Sequence, residues 1–360
     1  MEKETLTLPT PASLGFRHPA EWEHHEATWI GWPHNRSDWP GKLSSIIWVY
    51  AEIVRKLSPG EIVRIIVNDR THEQHARAIL TQVDVDLSRV QFFRFPTDRG
   101  WARDFGPIFV RRTEPRREVA IAGFRFTGWA KYKNWKKDTL IPRRAAKSLG
   151  MRLFLPVING HHVVLEGGSI DTNGLGTLLT TEECLLDETT QVRNPVVPRR
   201  EIEIALREYL GVTNILWLGR GIAGDDTHGH VDDLCRFVGP RTVVLAQEDN
   251  AGDLNYPALH ENRERLESMR AEDGSRIEVV PLPMPSPLTF DGLRLPASYA
   301  NFYIGNSVVL VPTFNDPCDR RALGILQELM KDRTVVGIHC VDMVLGFGTL
   351  HCLSHEQPAP

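Results

Sequence analysis

The stretch Gly346-Phe347-Gly348-Thr349-Leu350-His351-Cys352 places a thiol just past a turn punctuated by glycines, where the backbone can approach a ligand closely. Taken alone, Cys352 reads as a small buried apolar side chain, the commonest fate of a free cysteine. Four polar clusters elsewhere change that reading. Asp98-Arg99-Gly100-Trp101-Ala102-Arg103-Asp104-Phe105-Gly106-Pro107 crowds acids, arginines and an indole into one loop between strand-like runs. It suits either an Arg–Asp ion-pair turn or a grip on a planar cation, with Asp104 pairing and Trp101 stacking. Glu166, at the end of the apolar run Val163-Val164-Leu165 and just before Gly167-Gly168, is a buried carboxylate that needs a cationic partner. Asp225-Asp226-Thr227-His228-Gly229-His230-Val231-Asp232-Asp233 is the densest cluster of all. In an extended segment His228, His230 and Asp232 share one face and could hold a metal; equally, His230 could be a general acid/base with Asp232 a second carboxylate. Asn301, in Tyr299–Asn306, precedes an apolar strand and reads on its own as a turn residue.

The elements that must position these residues alternate along the chain. Leu43, Ile46, Ile47, Tyr50, Ile53, Val54 and Leu57 recur at helical spacing and stop before Pro59-Gly60, followed by the strand-like Ile62–Val67. A helix is predicted from Thr71 to Leu80 and a strand from Val90 to Phe95. Hairpins are predicted around Glu114-Pro115 and Gly239-Pro240, and helices over Pro198–Leu210, Tyr256–Arg270 and Asp319–Met330, the last capped by Asp319. The rhythm suggests about five β-β-α-β-like units of roughly 60–75 residues. Composition does not break, so one domain over 1–360 is expected, of α/β class. Periodicity leaves a radial arrangement and a doubly wound sheet both open.

Composition excludes several classes. The 360 residues carry 41% hydrophobic and 24% charged side chains, enough for a large core. A formal net charge of −4 without a block of like charges argues against nucleic acid or an anionic membrane as partner. The basic patch Lys131, Lys133, Lys136, Lys137, Arg143 and Arg144, interleaved with Trp129, Tyr132 and Trp135, reads as a solvated face with aromatic anchors. The five cysteines are scattered and lack CxxC spacing, which fits a reducing cytoplasm better than disulfides or a zinc knuckle. Met1–Leu14 has no apolar signal core, and no run approaches the ~20 residues of a membrane span.

The clusters together resemble the agmatine deiminases and related bacterial peptidylarginine-deiminase-type proteins of the guanidino-group-modifying superfamily. The resemblance runs through Pro19–Trp29, Trp101–Pro107, Glu166-Gly167-Gly168, Gly229–Asp232, Asn301-Phe302-Tyr303, Val311–Phe314 and His351-Cys352. It implies a five-bladed, pseudo-fivefold α/β propeller (a pentein), and hydrolytic deimination with no metal or organic cofactor. By motif position Cys352 is then the nucleophile, His230 the general acid/base, and Asp104 and Asp232 the guanidinium clamps. Glu166, Trp101, Asp226 and Asn301 would complete the substrate pocket. The small-molecule substrate implied is agmatine, converted with water to N-carbamoylputrescine and ammonia; the resemblance also admits a homodimer.

Such chemistry needs these residue types. A guanidinium is a poor electrophile, so it calls for a thiolate, held in line by paired carboxylates. Attack gives a tetrahedral adduct, His230 protonates the departing ammonia, and water activated by His230 hydrolyses the thiouronium. The sequence departs from the family in three places. Asp226 stands where a glutamate is usual, Leu353-Ser354-His355-Glu356-Gln357 replaces a Thr-Gln-Gln pattern, and Phe347 separates the glycines. These changes bear on the substrate's distal end, where His228 is expected to help. The rivals are deimination of free arginine or peptidyl arginine, a metal-dependent hydrolase using His228, His230 and Asp232, and an inactive binding relative.

Overall fold

A computed structural model describes residues 9–360; of the segment Met1–Leu14, read as having no signal core, residues 1–8 lie outside the described residues. Among the described residues, five sheets of three or four strands repeat one pattern. A middle strand pairs antiparallel with one neighbour and parallel with the other. The parallel neighbour is reached through a helix, as a parallel pair requires a crossover.

The middle strand Glu118–Ala122 pairs antiparallel with Ile108–Arg112 and parallel with Leu153–Phe154, through the helix Ile141–Leu149. Thr177–Thr181 stands likewise between Asp171–Thr172 and Asn214–Leu218, through Arg199–Leu210. Thr242–Gln247 stands between Cys235–Phe237 and Glu278–Pro283, through Tyr256–Ser268. Val308–Thr313 stands between Tyr303–Ile304 and Thr334–His339, through Cys318–Leu329. The fifth sheet joins the two ends of the chain. His25–Gly31 pairs antiparallel with Ser354–Pro358 and parallel with Ile62–Val67, which in turn pairs with Val90–Arg94.

The helix predicted over Leu43–Leu57 has those bounds, and the other helices predicted from spacing are present with shifted ends. Pro198 is the N-cap of the helix that starts at Arg199, where its missing N–H costs nothing. Asp319 does not cap its helix. The helix begins one residue earlier, at Cys318, and the Asp319 carboxylate accepts from the backbone N–H of Phe314 and Asp316 and from the Tyr299 hydroxyl. His25 opens a buried strand and lies 3.2 Å from Glu61.

The closing strand Ser354–Pro358 is polar in sequence yet wholly buried. Each of its polar side chains must therefore find a partner. His355 Nδ1 lies 3.0 Å from the Arg103 carbonyl, and Glu356 meets Arg103 at 2.7 Å. Gln357 Oε1 accepts from Trp29 Nε1 at 2.9 Å and from Arg64. Replacing Gln357 by Leu strands two buried donors on the neighbouring strands. It is expected to cost about 1–3 kcal/mol in urea unfolding, from the price of an unsatisfied buried polar group.

Candidate active site

Each of the five units delivers side chains to one place, from the segment just ahead of its first strand. Trp101 and Asp104 precede Ile108, Glu166 and Gly168 precede Asp171, and His230 and Asp232 precede Cys235. Asn301 precedes Tyr303, and Cys352 precedes Ser354. Four of these segments are single helical turns: Ala102–Phe105, Gly167–Ser169, Val231–Asp233 and Leu350–Leu353. A tight turn lets neighbouring residues face different ways. Cys352 lines a cavity while His351 reaches away to Asp232 and Glu21.

The cavity measures about 130 Å³, the scale of a small, narrow ligand, and is bounded by Cys352, Asp104, Trp101, Trp129, Tyr132 and Asp226 among others. Asn301 Nδ2 donates to Cys352 Sγ at 3.1 Å and to Asp233 Oδ1 at 2.9 Å. Its Oδ1 accepts from the Thr349 hydroxyl at 2.8 Å and from the His351 N–H at 3.1 Å, pinning the thiol-bearing turn. Asp104 is fixed by Trp129 Nε1 at 2.8 Å and the Gly168 N–H at 3.1 Å. Asp232 Oδ2 lies 3.7 Å from the sulfur.

His230 is fully buried and ringed by carboxylates. Its Nδ1 is 3.7 Å from Asp104 and 4.0 Å from Asp232, and its Nε2 is 3.8 Å from Glu166. Neither ring nitrogen has a hydrogen-bond partner among the described residues, nor do Glu166 Oε2 and Asp232 Oδ1. Buried polar atoms left unpaired in one spot mark where a polar ligand belongs.

The charges set the protonation states. Burial works against the charged imidazole of His230, but Asp104, Cys184 and Glu166 outweigh it and hold the ring well above its usual value, so it carries a proton. Burial lifts Asp104 to about 6, and Asp232 and Glu166 add to this against the pull of His230. Asp232 is held below its ordinary value because hydrogen bonding and charge from His351 exceed the cost of burial. The Cys352 thiol is pushed well above its usual range by burial, then by Asp232, Asp233 and Asp104, with only the Asn301 hydrogen bond opposing.

Not every residue singled out in the sequence faces the cavity. Cys352, Asp104, Trp101 and Asp226 line it. Glu166 finds its cation inside the protein: Oε1 meets Arg193 at 3.3 Å, and the other oxygen faces His230. Asp226 sits on the solvent side, with both oxygens taken by Lys131 at 2.6 Å and Tyr132 at 2.7 Å. His228 turns away from the cavity to Asp187 at 2.5 Å and Glu183 at 3.9 Å. The shared face expected of His228, His230 and Asp232 does not form. Positive φ angles of 64° at His228 and 91° at Gly229 break the extended alternation on which that ligand set depended.

Sequence reasoning passed over several residues. Trp129 and Tyr132 of the basic patch are cavity walls, and Lys131 is an ion-pair partner rather than a free surface charge. Asp38 and Arg99 pair with each other in the wall, with the guanidinium 4.2 Å over the Tyr132 ring. Aromatics interleaved with lysines were the available signal; Asp38 and Arg193 carried none. A larger surface cleft, about 300 Å³ between Leu245–Asp249 and the helix Tyr256–Ser268, is lined by a single unit, and no cysteine is in its lining.

The model of the Porphyromonas-type peptidyl-arginine deiminase family matches residues 17–358. The chain belongs to this family. It is similar to the agmatine deiminase of Ectopseudomonas mendocina, 34% identical over 379 residues that cover 99% of each chain. Among solved structures it is similar to the agmatine deiminase of Enterococcus faecalis, with a TM-score of 0.88, 29% identity and 98% of each chain covered. A C. jejuni agmatine deiminase with a serine in place of a cysteine and substrate bound matches with a TM-score of 0.83 and 27% identity, over 95% of this chain and 96% of the other. In this family member no β-carbon stands at Gly168, where one would lie 2.6 Å from His230 Nδ1, 2.9 Å from Asp104 Oδ1 and 3.0 Å from Asp232 Oδ2. Gly168→Ala is therefore expected to lower kcat/KM by about 100-fold or more, through misplaced site groups, while the circular dichroism spectrum is retained.

Proposed function

We propose that this chain is an agmatine deiminase that hydrolyses agmatine to N-carbamoylputrescine and ammonia through a covalent Cys352 thiouronium. The supporting observation is a buried thiol facing ionisable carboxylates, one oxygen of which, Asp232 Oδ1, has no hydrogen-bond partner among the described residues, beside indole walls. A planar cation fits that electrostatic demand. The full-length similarity to agmatine deiminases supports the same reading.

Asp104 and Asp232 hold the guanidinium with its carbon toward the sulfur. Entry of that positive charge offsets the carboxylates that keep the proton on Cys352, so the thiolate forms when substrate is present. Sγ adds to the guanidinium carbon. The protonated His230 gives its proton to the departing nitrogen, which leaves as ammonia. The neutral imidazole then takes a proton from water and the hydroxide adds to the thiouronium carbon. The C–S bond breaks to return the thiolate as the hydroxyl proton is lost, leaving the urea product, and that proton is taken up by the released ammonia as ammonium. Glu166 and Arg193 act behind His230 by fixing its charge and orientation. Asn301 steadies the sulfur and the turn that bears it.

The distal pocket favours agmatine over its rivals. Free arginine would need a cation for its carboxylate, and the arginine in the wall, Arg99, is already paired with Asp38. A peptide would need more room than a cavity of about 130 Å³. The agmatine ammonium would meet Asp226, displacing Lys131. We also read the five units as blades closed round this site in one domain, since the last strand pairs with the first and every unit brings a side chain to the same cluster of contacting groups. Five unpaired cysteines support a cytoplasmic setting, and no helix among the described residues is long and apolar enough to cross a membrane.

Ammonia release from agmatine, free arginine and an arginine-containing peptide, with and without iodoacetamide, tests this. Thiol-sensitive release from agmatine alone is expected, and Cys352→Ala should abolish it in a folded protein. Release from arginine or peptide instead would overturn the substrate.

Asp104 also predicts a pH response. It must be ionised to hold the cation, so kcat/KM is expected to fall with pH through about 6, and Asp104→Asn should remove that limb. The sign for stability is opposite. A carboxyl raised by folding binds its proton more tightly in the native state, so its contribution is lost as pH rises toward about 6.

A further inference from the structure

His351 neighbours the thiol in sequence but stands outside the cavity, and its role is not set by the chemistry above. The imidazole is 2% exposed and is held from both sides. Its Nδ1 lies 2.6 Å from Asp232 Oδ2, and its Nε2 lies 2.8 Å from Glu21 Oε2. Glu21 is itself anchored by Arg103 at 3.2 Å, Arg236 at 3.0 Å and the Ile304 N–H at 2.7 Å. Behind these stand Asp171, paired with Arg236, and Glu356, paired with Arg103.

Glu21 is ionised by partners other than the ring, since Arg103 and Arg236 pair with it at 3.2 and 3.0 Å, and Asp232 is ionised wherever it clamps a substrate cation. Glu21 is held well below its usual value, against burial, by Arg236 and His351. Asp232 is lowered against burial, chiefly through His351. An ionised carboxylate can only accept hydrogen bonds, so each ring nitrogen must donate, and an imidazole donating from both nitrogens carries a positive charge. The two oxygens of Asp232 are thereby divided. Oδ2 takes the His351 proton and faces the sulfur at 3.7 Å, while Oδ1 has no partner and lies 4.0 Å from His230.

We propose that His351 is a fixed imidazolium that screens the Cys352 sulfur from Asp232, easing thiolate formation beside a carboxylate while leaving Asp232 Oδ1 for the substrate cation. It is a positioning residue acting through Asp232, and the proposal rests on Cys352 being the nucleophile. Glu21 extends the device: it anchors the far side of the ring, and Arg103 and Arg236 hold Glu21 ionised.

The test is the pH dependence of Cys352 alkylation by iodoacetamide, with kcat for agmatine measured alongside. In His351→Gln the pH at half-maximal alkylation is expected to rise by about one unit or more, since a neutral amide cannot replace the charge. kcat should fall about ten-fold or more, with a smaller change in KM. Glu21→Gln should move the alkylation profile the same way by less. An alkylation profile for His351→Gln that superimposes on the unmodified protein overturns the proposal, because a residue that only packs would leave it there. Should that variant fail to fold, nitrogen NMR of the histidine-labelled native protein decides. Two ring N–H signals from His351 near neutral pH are expected, and one alone overturns the charge assignment. Alkylation and NMR need no substrate, so an enzyme that prefers another guanidine leaves this test intact.

Discussion

The structure depends on keeping negative charge buried next to a thiol. Asp104, Asp232 and Asp233 all raise the cost of ionising Cys352, and burial removes the water that would relieve it. Isolated carboxylates in such a place would neutralise themselves, as Asp233 does: burial and its neighbours Asp232 and Asp225 push it well above the carboxylate range. Asp232 escapes that fate because a histidine donates to it, and Asp104 lies between the two outcomes near 6. The site is thus graded, with one acid neutral, one half-committed and one ionised around a single thiol. A cation of the right shape completes it.

The scaffold meets this demand by distributing it. No single element could carry the thiol, the imidazole and the carboxylates without placing like charges along one strand. Five short segments, each held by its own sheet, bring them in from separate directions. The compensating arginines come from the same units: Arg103 follows Trp101-Ala102 in one segment, and Arg236 lies within the strand Cys235–Phe237 and pairs with Glu21 at 3.0 Å. Glycine at position 168 keeps the centre clear, since a methyl there would touch three site atoms.

Much of this was legible in the residues. Strands and helices alternate with enough regularity to count five units, and each polar cluster stands where a strand is about to start. Roles for Cys352, Asp104 and Asp232 were readable only through the motif resemblance, because each cluster taken alone fits a buried thiol, an ion-pair turn or a metal site as well. The parts that stayed hidden depend on distance in space. The partnership of Glu166 with Arg193 crosses 27 residues, and that of Glu21 with His351 crosses 330. His228 misled because its positive φ is unusual for a residue with a β-carbon, so extended geometry was the natural assumption. Trp129 and Tyr132 misled because aromatics among lysines describe both a surface and the rim of a cavity.

The delivery of one cluster per unit, always from the turn ahead of the first strand, separates the parts that fold from the parts that react. Strand pairing and helix packing lie on one side of that turn and the chemistry on the other. A lineage built on this plan can exchange a clamp, an acid or a rim residue one unit at a time, testing new planar cations while four-fifths of the reactive centre and all of the sheets stay as they were. The same separation makes the molecule a practical chassis for engineering: five addresses, each set by a few residues, at which specificity can be rewritten while the sheets are left alone.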